Sequence, residues 1–236
     1  MQYYTGLVSP GYWLTQALPG FNAGHGFKDA PMLPDLTMRL LSPDFSLYQL
    51  VRSDTAERQP ALLQQQLDPP AEVIDNLTYL ALTVLQPLHE QFDYPLQINS
   101  GYRSEVLTRA VGGSLNSPHL LGQAADVVIS PGFLTDERCA ALRETIQAGV
   151  QTVTGRSLRS DVTANFYLYA YLCLNLDRFD VDEVIHEYGT GPGQPAWVHL
   201  SASNTGNKRS ILAQGQHLST EQRGALDLRT ALSLGT

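Results

Sequence analysis

The segment Asp68-Pro69-Pro70, followed by Val73, Ile74, Leu77, Leu80, Ala81, Val84, Leu85 and Leu88, constrains this chain more than any other stretch. Asp is a favoured helix cap, and Pro is tolerated in the first turn, where its missing N–H is not needed. The apolar residues recur at helical spacing and form one continuous stripe. A stripe of that length needs cover, so other elements must pack on it. Pro87 predicts a kink or an end late in the helix.

Further elements follow from punctuation and periodicity. A short helix entered through Ser42 or Asp44 precedes the long one, and Gln97–Asn99 reads as a brief strand. Ser104 is placed to cap a helix through Ala110 that stops at Gly112-Gly113, as a glycine C-cap does. Ala125–Ile129 is a β-branched strand ending at Ser130-Pro131-Gly132. A helix from Thr135 puts Cys139, Leu142 and Ile146 on one face, and another runs from Ser160 to about Asp177. Strand-like segments lie at Glu183–Tyr188, Trp197–Ser201 and Arg209–Ala213. Ser219 and Gln222 have capping-box spacing and predict a terminal helix.

Residues 1–41 differ from the rest: rich in Gly, Pro and aromatics, they show neither period. They predict an extended arm that packs on its own domain or a partner, with Tyr3, Tyr4, Tyr12, Trp13 and Phe21 as anchors in a protein assembly. The expected organisation is the arm at 1–41, one α+β domain at 42–215 and a helical tail at 216–236.

Composition excludes several classes. A net charge of −8, with Lys28 and Lys208 the only lysines, argues against a nucleic-acid surface. No apolar run reaches the roughly 18 residues a membrane span needs, and no basic amphipathic helix suggests membrane docking. The opening MQYYTGLVSPGYWL lacks the basic and apolar regions of a signal peptide. The expectation is a chain made in the cytoplasm that reaches its target on lysis or on a phage-like particle. Cys139 and Cys173 are too few for a disulfide framework and read as buried thiols.

Two segments carry chemistry: SGYRSEVLTRAVGGSLNSPHLLGQAADVVI at 100–129 and DEVIHEYGTGPGQPAWVHLS at 182–201. A carboxylate at Asp126, among Ala124, Ala125, Val127 and Val128, is costly to bury unless paired or metal-bound. His119 lies seven residues before it, and His199 sits between Val198 and Leu200 on a strand, where an imidazole needs a partner. Glu187 lies in an equally apolar strand, with Glu183 as a competitor on the same face. A catalytic zinc takes three protein ligands and keeps an open position. His119, Asp126 and His199 supply three ligands and Glu187 a base, although such spacing also suits satisfied core residues. Read alone, Arg103 pairs with Glu105, and Ser117 caps a turn before Pro118.

These segments resemble the zinc D-alanyl-D-alanine carboxypeptidases and related peptidoglycan endopeptidases, which share a fold with the Hedgehog signalling domain. The resemblance rests on Ser100-Gly101-Tyr102-Arg103-Ser104, Gly112-Gly113, the run Ser117, His119, Gly122, Ala124 and Asp126, and Glu187 with Trp197-Val198-His199. It covers roughly residues 42–215. It implies a small antiparallel sheet carrying a zinc site and backed by helices. It further implies zinc held by His119, Asp126 and His199, Glu187 as general base, Arg103 binding a substrate carbonyl or carboxylate and helping stabilise the tetrahedral intermediate, and Ser117 orienting substrate or a neighbouring ligand. The implied substrate is a peptidoglycan peptide. The stretch from Asp126 to Glu187 is longer than in compact members and is expected to flank the cleft. A rival expectation is a docking component of a tail or injection assembly using the same fold.

Overall fold

The computed structural model describes residue 36, residues 38–205 and residues 208–236, within a unit spanning Leu33–Thr236. The expected arm lies almost wholly outside the described residues. Of its described residues Leu36 and Leu41 are buried while Met38 and Leu40 are exposed, and Leu47 N–H donates to the Arg39 carbonyl (2.8 Å).

Three short helices follow: α1 (Leu47–Val51), α2 (Asp54–Glu57) and α3 (Pro60–Leu67). The first is capped by Ser46 in a capping box with Gln49, not by Ser42 or Asp44. Ser42 instead donates its hydroxyl to the buried Gln86 amide (3.0 Å). The long amphipathic helix begins at α4 (Ala71–Leu80), with Pro70 rather than Asp68 in the cap position. It passes through a π-helical stretch, Ala81–Leu85, into α5 (Gln86–Phe92). Pro87 therefore neither ends nor sharply interrupts the path. The wider turn just before it, where Gln86 N–H reaches back to Ala81, accommodates the proline ring and its missing donor. The stripe Leu77, Leu80, Val84, Leu85 and Leu88 is fully buried, as its period required.

The sheet has six strands in the order β1-β2-β4-β3-β5-β6: β1 Leu96–Ser100, β2 Ala124–Ile129, β3 Glu183–Glu187, β4 Trp197–Ser201, β5 Ser210–Gln214 and β6 Gly224–Leu226. It is larger than expected and not purely antiparallel, because β3 and β5 run parallel. Between β1 and β2 lies α6 (Glu105–Ala110), capped by Ser104 and closed at Gly112 (φ 71°), as the sequence predicted.

Helices α7 (Ala140–Thr154) and α8 (Ala164–Leu174) occupy the long interval between β2 and β3. Of these, α8 does not flank the cleft as the interval was expected to. The rings of Phe166 and Tyr169 on α8 pack against His186, and Tyr169 donates to the Leu212 carbonyl (3.1 Å). His186 and Glu187 are successive strand residues and face opposite sides. The helix thus backs the sheet on the side away from Glu187. Covered by the sheet, α7 and the C-terminal helix, α8 is apolar almost all round.

Residues 216–236 are not a simple helical tail. The Ser219–Gln222 capping box closes only one 3-10 turn. The chain then adds β6 to the sheet edge and ends in α9 (Leu228–Ser233), capped by Asp227. Ala231, Leu232 and Leu234 are buried in the common core. Among the described residues no helix is long and apolar enough to cross a membrane.

Candidate metal centre

Sheet register assembles the site. Asp126 on β2 stands directly opposite His199 on β4, and Glu187 on β3 directly opposite Trp197 on β4. Since residues two apart share a face, all four side chains project from one side of the sheet. A register irregularity between Ile98 and Ser100, at the end of β1 beside Asp126, turns the chain out of the sheet. From there Gly101–Ser104 runs under the turn that carries His119.

That turn is a 3-10 segment, Pro118–Leu121, entered through Ser117 and closed by Gly122. Two glycines let it sit close. A Cβ at Gly101 would stand 2.2 Å from the Leu50 carbonyl oxygen, and Gly122 has φ 69° with its Cβ position 2.6 Å from the Val73 oxygen. Neither position admits another residue without moving backbone. Ser117 Oγ accepts the His119 N–H (3.4 Å), so its described contact holds the turn that presents His119.

His119, Asp126 and His199 are all buried, and their ligand-type atoms lie within 4.8 Å of one another. His119 Nε2 is 3.2 Å from His199 Nδ1 and 3.3 Å from Asp126 Oδ1, and His199 Nδ1 is 2.9 Å from Asp126 Oδ1. Tetrahedral zinc ligands at about 2.0–2.1 Å stand roughly 3.3 Å apart, which these separations approach. The other nitrogen of His119, Nδ1, lies 2.5 Å from the Gly101 carbonyl, which fixes its proton there. That leaves Nε2 as a bare acceptor facing a carboxylate and a second imidazole, an arrangement that calls for a cation. Burial lowers the His119 pKa, with the Asp126 carboxylate opposing. Burial by itself would raise Asp126, but the two imidazoles beside it hold it well below the usual carboxylate range. The donor set therefore fits zinc.

Glu187 lies half-buried beside this group. Its Oε2 accepts the Trp197 indole N–H at 2.6 Å, and Tyr188 covers Trp197 with ring centroids 5.2 Å apart. Burial raises the Glu187 pKa, opposed by the positive field of His199 and supported by Asp126. A carboxylate so placed holds a proton more readily than an exposed one. The sequence pattern located Trp197 but not its bond to Glu187.

Arg103 does not pair with Glu105, which instead bonds Arg109 one helical turn on (2.6 Å). Among the described residues the Arg103 side chain has no hydrogen-bond or ion-pair partner, and its Nε is buried. Its charge acts on both His119 and Glu187, so the guanidinium lies near both. His186 is not at the site: it is fully buried on the opposite face, both ring nitrogens lack partners among the described residues, and burial depresses its pKa to about 4. Cys139 and Cys173 are buried free thiols, away from the metal group.

The structure thus brings together His119, Asp126, His199, Glu187 and Arg103 from segments up to 96 residues apart in sequence. No curated protein sequence matches the chain. A family model described as Peptidase M15 matches residues 45–158, a span that includes Arg103, Ser117, His119 and Asp126 and stops before Glu187 and His199. Over that span the chain is similar to the Peptidase M15 family, and the pairing of β3 and β4 brings Glu187 and His199, which lie beyond it, to the same site.

Proposed function

We propose that this protein is a zinc-dependent peptidase that hydrolyses an amide bond in peptidoglycan stem peptides. The observation that carries the reading is the convergence of three buried ligand atoms within 4.8 Å beside a half-buried, indole-held carboxylate. A structural ion pair would need neither the third ligand nor the carboxylate.

In this reading His119 through Nε2, His199 through Nδ1 and Asp126 through a carboxylate oxygen would hold the zinc. Bound zinc supplies Lewis acidity and makes water acidic enough to attack near neutral pH. Glu187 accepts the proton of the attacking water and returns it to the leaving amine. The raised pKa of Glu187 suits both halves of that transfer. Arg103, its charge not already spent on a partner, donates to the scissile carbonyl oxygen as negative charge builds there. Ser117, at the start of the turn that carries His119, contributes to substrate placement. Trp197 keeps Glu187 pointing into the site and shields it with Tyr188.

The peptidoglycan substrate rests on the resemblance of the 100–129 and 182–201 segments, and a phage or phage-like lytic component is the setting we propose for it. D-Ala-D-Ala, L-Ala-D-Glu and cross-bridge bonds are the candidate targets. Incubation of purified peptidoglycan with the wild type, Arg103→Ala and His199→Ala, followed by mass analysis of the released fragments, tests the reading and names the bond. Release of new amino termini by the wild type and not by His199→Ala is expected. Intact peptidoglycan after prolonged incubation with zinc-loaded wild type would instead favour the docking role.

A further inference from the structure

Gln66 lies on α3, a helix that carries none of the motif residues, yet its side chain is fully buried. Its Nε2 donates to the carbonyls of Val51 (2.6 Å) and Tyr102 (2.7 Å), and its Oε1 accepts the Ser104 N–H (2.9 Å). The amide fits only this way round. A flip would set its oxygen against two carbonyl oxygens and its NH2 against an N–H.

The residue bracketed by these bonds is Arg103. Gln66 holds one group from each of the two peptide units that flank it: the Tyr102 carbonyl before and the Ser104 N–H after. The rest of this short loop is pinned as well. Tyr102 N–H donates to the Leu50 carbonyl (2.7 Å), and Arg103 N–H donates to the His119 carbonyl (3.1 Å). At its far end the Arg103 guanidinium has no protein partner among the described residues, so its direction must come from its own backbone.

We propose that Gln66 is a positioning residue for Arg103, fixing the backbone from which the guanidinium reaches the substrate carbonyl. The inference rests on the role given to Arg103 above. A long side chain amplifies small errors at its root: a rotation of about 10° at the backbone carries the guanidinium by about 1 Å, and misplacement of that size costs roughly 10²-fold in rate. An apolar residue of similar shape would fill the space of Gln66. It would leave two carbonyls and one N–H without their partner and free the loop to turn.

The test is a double-mutant cycle in the full chain, with Gln66→Met and Arg103→Ala made singly and together. Hydrolysis of purified peptidoglycan is measured, with zinc content and thermal unfolding alongside. Gln66→Met should keep its zinc, lose about ten- to a hundredfold in kcat/KM, and cost nothing further in the Arg103→Ala background. An equal loss in both backgrounds overturns the proposal, because Gln66 then acts on something other than Arg103. A second readout does not depend on activity. The buried Arg103 Nε–H, assigned in nitrogen-15 NMR spectra by its disappearance in Arg103→Lys, should exchange with solvent faster in Gln66→Met. Unchanged exchange also overturns the proposal, whereas faster exchange in a chain that does not cut peptidoglycan upholds the clamp and refutes only the assigned reaction. Should Gln66→Met fail to fold, Gln66→Asn, which keeps the amide but shortens its reach, goes through the same measurements.

Discussion

Replacing Glu187 by Gln separates chemistry from architecture at this site. The glutamine oxygen can still accept the Trp197 indole N–H, now at 2.6 Å, and the volume hardly changes. What disappears is the capacity to take a proton from water. Loss of a general base costs about 10²–10⁴-fold, which corresponds to roughly 3–5 kcal/mol of barrier. Stability should move the other way. Burial raises the Glu187 pKa in the folded chain, so the folded state holds this proton to higher pH than the unfolded state. Folding stability therefore falls as pH rises through that window and stays lowered above it. Glutamine has no charge to bury and escapes the penalty. The assay compares peptide-bond hydrolysis by zinc-loaded protein and thermal unfolding of metal-free protein at pH 7 and pH 4. Expected are a variant nearly dead in hydrolysis, at least as heat-stable as wild type at pH 7, with that advantage fading at pH 4. Near-normal turnover would refute the base assignment and point to Glu183, and a clear loss of stability at pH 7 would refute the burial argument.

Other consequences are equally concrete. His186, neutral in the fold with a pKa of about 4, should make wild type lose on the order of 3 kcal/mol between pH 7 and pH 4, and His186→Leu should not show that loss in denaturant unfolding of metal-free protein. Its sign follows from the depressed value: the unfolded imidazole takes up a proton first, so the stabilisation is present at neutral pH and lost as pH falls. Gly122→Ala must place a Cβ against the Val73 carbonyl at φ 69°, so it should cost more than about 1–2 kcal/mol and loosen the turn carrying His119. An unchanged unfolding temperature would contradict that. Deleting residues 228–236 uncovers core around Ala231, Leu232 and Leu234, and cooperative unfolding should weaken or vanish; a truncated chain as stable as the whole would show α9 to be dispensable.

How much of this could be read in the sequence depends on the range of the interactions involved. Local rules located α6 between Ser104 and Gly112 and the boundaries of β2 and β4 closely, because caps, glycines and β-branched runs act over a few residues. Asp126 and His199 stood out as polar residues in apolar strands, while joining them to His119, which lies on a turn, rested on the family resemblance. Long-range pairing was not. Nothing local distinguishes a parallel β5 from an antiparallel one, or signals that Gly224–Leu226 will extend the sheet. Pro87 misled because the π-helical turn that accommodates it depends on neighbouring backbone, not on the proline itself. Gln66 gave no signal, since a glutamine between Gln65 and Leu67 looks like helix surface until its three backbone partners meet it.

The claim that zinc at His119, Asp126 and His199 drives peptide-bond hydrolysis is tested most directly by metal titration of activity. The protein is stripped with a chelator, zinc is returned in measured amounts, and release of amino termini from purified peptidoglycan is followed. The account predicts negligible hydrolysis without metal and full recovery at one equivalent of zinc, with no recovery for His199→Ala. Undiminished hydrolysis by the stripped protein, or equal recovery by His199→Ala, would contradict it.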